Sequence, residues 1–110
     1  MAEWKFNKDE TIKELDADFD NIQNLFLSGK VSKMYQLVER SPTKIAALLG
    51  LNYGSYIDKL QNPERFSTLH INALAFAIKI DPNIIHDIIQ SEIHEKVEVK
   101  INKFENRNKK

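Results

Sequence analysis

Cysteine is absent from the 110-residue chain, so neither a disulfide nor a thiolate metal site contributes to its fold or chemistry. Glycine occurs only three times, too sparsely for a loop that cradles phosphate. His70, His86 and His94 are the only imidazoles, and their spacing matches neither a zinc site nor a metalloprotease helix. No apolar run approaches the length of a membrane span, and the polar opening MAEWKFNKDE lacks the hydrophobic region of a secretion signal. The acidic residues near the N-terminus have nothing beside them to desolvate a catalytic acid–base pair. Together these absences lead us to expect a cytoplasmic protein that is not an enzyme and uses no metal or small-molecule cofactor.

Net charge is lacking too, at +0 overall, but its two signs are segregated. Residues 1–28 carry three lysines against seven carboxylates, and residues 67–95 one lysine against four. Residues 29–66 carry six cations against three carboxylates, and residues 96–110 six against two. Positive charge therefore falls on the middle of the chain and on its tail, where contact with phosphate would need it.

The chain is organised around Ser41 to Leu60, SPTKIAALLGLNYGSYIDKL. Ser41 is placed to cap a helix, and Pro42 suits its first position. Ile45, Ala46, Leu48 and Leu49 form an apolar stripe, and Gly50 stands where a left-handed residue closes a helix. A second short helix follows, with Ile57 and Leu60 spaced to face a core. Two short helices about a glycine turn form a helix-turn-helix pattern, which points to DNA binding.

Around this pair the periodicity predicts an all-α protein. An acidic amphipathic helix is expected from Asp9, with Ile12, Leu15, Phe19, Ile22, Leu25 and Phe26 on one face and Ser28 and Gly29 at its end. Val31 to Arg40 reads as the next helix, Ser67 caps a very apolar one through Ile80, and Asp81 and Pro82 start the last of the core. The division expected is an N-terminal helical extension (1–28), a five-helix domain (29–90) and a C-terminal extension with a disordered basic tail (91–110). Residues 91–104 are ambiguous: Val97, Val99 and Ile101 alternate as in a strand, while Ile89, Ile93, Val97 and Ile101 recur every four residues. No glycine or proline interrupts them, and Glu92 and Lys96 make a favourable helical pair, so a helix to about Phe104 is expected. Leu48, Leu51, Ile57, Leu60, Leu74 and Ile78 are expected to be buried together.

The pieces IAALLGLN, SYIDKLQNPERFS and INALAFAIKIDPNII, in this order, resemble the phage-repressor and Cro-like (XRE) helix-turn-helix family over about Val31 to Ile89. The resemblance implies a lambda-repressor-like five-helix core that binds double-stranded DNA, as a small bacterial or phage transcription regulator. It implies that the helix from Tyr53 or Ser55 to Leu60 enters the major groove by its N-terminal end. Asn52, Tyr53, Ser55 and Tyr56 would then reach bases, with Lys59, Lys33, Thr43, Lys44 and Arg65 at phosphates. Three departures stand out: Pro42 where the family often has a glutamine, a turn one residue longer than the commonest form, and Asp58 on the expected outer face. A homodimer is expected, because both terminal segments carry apolar stripes that a small core does not absorb. The same fold also serves protein interaction without DNA. One continuous face holding Lys33, Lys44, Lys59 and Arg65 would favour DNA binding, and their scatter the interaction module.

Overall fold

The computed structural model describes residues 16–108, and the elements within them are helices, with no strand among the described residues. Helix α1 spans Ala17–Leu27 and turns Ile22 and Phe26, four residues apart, into the core. The Asp16 carboxylate accepts the Asp18 N–H at 2.9 Å and caps its first turn. The expected beginning of this helix, from Asp9 to Leu15, lies outside the described residues. Gly29, at a φ of +74°, lets the chain reverse after α1.

The expected helix over Val31 to Arg40 is a correction: only Met34–Glu39 is helical, and it is a 3₁₀ helix. The Gln36 side chain explains its late start. Its Oε1 accepts the backbone N–H groups of Ser32 and Lys33 at 2.8 and 2.9 Å, and Nε2 donates to the Lys30 carbonyl at 3.0 Å. Three-residue periodicity then puts Met34 and Leu37 on the same inward edge. The Met34 N–H donates to the Glu92 carboxylate at 2.9 Å, tying this segment to the end of the core.

Helix α2 spans Pro42–Leu48, with proline at its first position as the sequence predicts. Ser41 precedes it, but in left-handed backbone (φ 52°), and its hydroxyl caps nothing. A capping serine needs extended backbone to aim its oxygen at the first free amides, and Ser41 lacks it. At the other end Gly50 is left-handed, Leu51 N–H reaches the Ala46 carbonyl (2.9 Å) and Gly50 N–H that of Ala47 (3.1 Å). That pair of bonds is a Schellman closure. Helix α3 follows at Tyr53–Gln61, capped by Asn52, whose Oδ1 accepts the Ser55 N–H at 2.7 Å.

A 3₁₀ turn at Pro63–Arg65 leads to α4, Thr68–Ile78, where Ser67 and His70 exchange bonds across the first turn. Ile71, Leu74, Ala75 and Ile78 are buried, and α4 packs on α1, α2 and the last helix. Its burial is one-sided, however, with Leu69 and Phe76 exposed. Lys79, left-handed at φ 57°, closes α4 where glycine is usual.

The last helix, α5, runs from Pro82 to Asn108 and resolves the ambiguity after residue 91 in favour of helix. It crosses the expected boundary at residues 90 and 91 without a break and extends beyond Phe104. Ile85 and Ile89 are buried; past Ile93 every side chain described is exposed, so the helix begins as a wall of the core and leaves it as an arm.

Of the six residues expected in one core, Leu60, Leu74 and Ile78 are buried and Leu51 and Ile57 are half-buried. Leu48 is a correction, at 39% exposure. The inward face of α2 is set by Ile45 and Leu49, one turn apart, and Leu48 falls beside that line.

Candidate nucleic-acid interface

Tyr56 and Leu60, one turn apart and fully buried, root α3 in the protein. This fixes which end of the helix meets solvent. Asn52, Tyr53 and Gly54 are exposed at its N-terminal end, Ser55 is half-buried, and no acidic side chain occupies the first turn. The positive end of the helix dipole therefore lies open beside an exposed phenol.

Tyr56 is a correction to the expected base-contacting set: with its ring in the core it cannot reach a groove. Its hydroxyl finds no hydrogen-bond partner among the described residues, and burial pushes the phenol well above its ordinary range. Asn52 is exposed, but its side-chain oxygen is already occupied as the helix cap.

The cations among the expected phosphate contacts are each engaged by partners within the protein. Lys44, on α2, donates to Asp16 and Asp18 at the start of α1 and lies 5.2 Å from the centre of the Phe19 ring. Lys59 donates to the Arg65 carbonyl at 3.3 Å, while the Arg65 guanidinium pairs with Asp58 at 2.8 Å. Asp58, expected on the outer face, is half-buried and also accepts from the Asn62 amide at 3.3 Å. Lys33 pairs with Glu95 of α5 at 3.4 Å. Thr43 is exposed next to Lys44.

Two functional-looking groups escaped the sequence reading. Glu92 and Lys96, expected to pair within their helix, each reach across to another element instead. Glu92 accepts from Met34 N–H, and Lys96 donates to Glu64 at 2.9 Å and to the Asn62 side chain at 3.3 Å. They line an open groove with Lys33, Tyr35, Glu95 and Val99. The half-apolar, half-charged make-up of residues 92–99 was the signal, but nothing local names their distant partners. Among the described residues no three histidine, aspartate or glutamate side chains gather as a metal ion would require, and no helix is long and apolar enough to cross a membrane.

Hydrogen bonding from Lys44 holds the Asp16 carboxyl below the usual carboxylate range and, in return, raises the Lys44 ammonium. Lys96 does the same to Glu64. A depressed carboxyl pKa contributes stability above the unfolded value, about pH 4, and loses that contribution as pH falls through the folded one. Both sites are solvent-facing, so the interactions are screened and small. Carbon NMR titration of the two carboxyls should give midpoints below those of the same residues in the urea-unfolded chain. Equal midpoints for Asp16 would mean that Lys44 is not held there in solution.

Comparison of the chain with models of known protein families, with characterised proteins and with solved structures finds no match.

Proposed function

We propose that the chain binds double-stranded DNA through the N-terminal end of α3, as a small cytoplasmic transcription regulator of helix-turn-helix type. The observation that carries this is the first turn of α3: Tyr53 is 53% exposed there, with no carboxylate in the turn, while Tyr56 and Leu60 hold the helix rigidly from behind. An open helix N-terminus with a projecting side chain is how this class of motif addresses the major groove. Tyr53 and Ser55 are the base-facing residues in this reading. Thr43, Lys44, Lys59 and Arg65 contact phosphates, which displace the intramolecular partners of the three cations.

A second reading draws on the grip of Asp16 and Asp18 on Lys44, and on the pairing of Lys33 with Glu95 and of Arg65 with Asp58. In it the acidic segment covers the basic face, and the fold is a protein-interaction module.

One set of salt titrations separates the two, on a duplex selected from a random pool and on a scrambled one. On the DNA reading Lys44→Ala weakens both duplexes alike and lowers the log–log salt slope by about one. Tyr53→Ala or Ser55→Ala costs about 1–3 kcal/mol on the selected duplex and leaves the slope nearly unchanged. Asp16→Asn with Asp18→Asn frees Lys44 and tightens binding to both. If neither wild type nor that double variant binds either duplex at low salt, the DNA reading fails.

A further inference from the structure

The arm of α5 carries a sorted pattern of charge that the core does not use. With Ile101 at position a of a heptad, Val97 and Phe104 fall at d. Glu98 and Glu105 then occupy e, and Lys100 and Arg107 occupy g. One flank of the apolar seam is thus basic and the other acidic. Val97 and Ile101 are 49% and 47% exposed, and Lys100, Glu105 and Arg107 make no ion pair among the described residues. Upstream the same positions turn polar, with His94 at a and Gln90 at d, so the seam starts only where α5 leaves the core.

We propose that the Val97–Phe104 seam is the contact with a second copy of this chain, and that the two α5 arms pair in parallel. In a parallel pair, each g residue faces the e residue five positions on in the other helix. Lys100 then meets Glu105 of the partner subunit, twice by symmetry. An antiparallel pair would set g against g and e against e, placing like charges together along both flanks. The charge pattern therefore selects both the occupant and its direction.

The body of the protein leaves room for this arrangement. Ile85 and Ile89, buried in the core, fall at f and c of the same heptad; Glu92 and Lys96, which bind Met34 and Glu64, repeat those two positions. The domain thus packs on the c and f side, and its Glu64 reaches only the near flank of the seam, where it shares a groove with Lys96, Val97 and Lys100. Two domains can flank a central pair of arms and point the same way. The seam is short, but each arm is already helical and anchored at its base, so pairing does not have to nucleate helix.

This proposal does not rest on DNA binding, and its test is done without DNA. Sedimentation equilibrium of the full chain should show a monomer–dimer equilibrium at micromolar concentrations. Ile101→Glu should abolish it, with a thermal midpoint equal to that of wild type diluted below its dimerisation range. Lys100→Glu should weaken the dimer about tenfold, because two exposed pairs turn from attraction to repulsion, and adding Glu105→Lys should restore it. Since the chain has no cysteine, Val97→Cys gives a single thiol; a parallel pair sets the two copies side by side and should oxidise to a covalent dimer. A chain that stays monomeric at high micromolar concentration overturns the proposal. So does a dimer that Glu105→Lys fails to restore in the Lys100→Glu background and that resists cross-linking through Val97→Cys, which would mark antiparallel arms.

Discussion

Tyr56→Ala should cost the fold about 3–5 kcal/mol, the usual penalty for emptying an aromatic site in a core. Tyr56→Phe should cost nothing, and a gain of about 1–3 kcal/mol is expected, because a buried hydroxyl without a partner keeps its desolvation penalty in the folded state. The ring is fully buried, and the hydroxyl is unmatched among the described residues. Chemical denaturation of wild type and both variants, compared at constant m, measures the two effects. Destabilisation by Tyr56→Phe would show that the hydroxyl does bond to something. The pair of variants also guards the binding experiments. On the proposed DNA reading, binding lost in Tyr56→Ala would reflect unfolding around α3, not a missing base contact.

Leu74→Ala should cost about 2–5 kcal/mol by opening a cavity where α4 meets α1, α2 and α5. Leu74 is buried at the middle of α4, between Ile71 and Ile78 on the same face. The control lies on the same helix. Leu69 is 76% exposed, so Leu69→Ala should change stability by no more than about half a kcal/mol. Similar losses from both variants would mean that the burial of α4 is not one-sided.

How much of this was legible depends on the range of the interaction. Spacing along one helix was readable: Ile22 with Phe26, Ile71 with Leu74 and Ile78, and the run Ile89, Ile93, Val97, Ile101 that made α5 a helix. So was the left-handed Gly50, because a glycine just past an apolar helical stripe is the commonest way for a helix to close. One-residue choices were not. Leu48 and Leu49 are equally apolar, and only the rotation of α2 against the core buries the second. Tyr53 and Tyr56 lie one turn apart, yet the core ends between them, leaving one phenol outside and one within. Side chains that capture backbone were also silent, as with Gln36 cutting short the helix expected from Val31. Charge was the least readable at the candidate site. Lys44 finds Asp16 across 28 residues and Lys33 finds Glu95 across 62, separations at which composition gives a sum but no partner.

One helix that is both core wall and projecting arm also sets a gradient of amide hydrogen exchange. Backbone N–H groups near Ile85 and Ile89 are released only when the whole domain opens, so their exchange reports global stability. Those after Val97 belong to the same unbroken ladder but have no core behind them, and fraying from Asn108 inward exposes them without disturbing the domain. A single α5 should therefore show two exchange regimes, with the change of slope just beyond Ile93. Raising the protein concentration should slow the outer regime by closing the seam over it, and the inner one by no more than the free energy that dimerisation adds to the folded state.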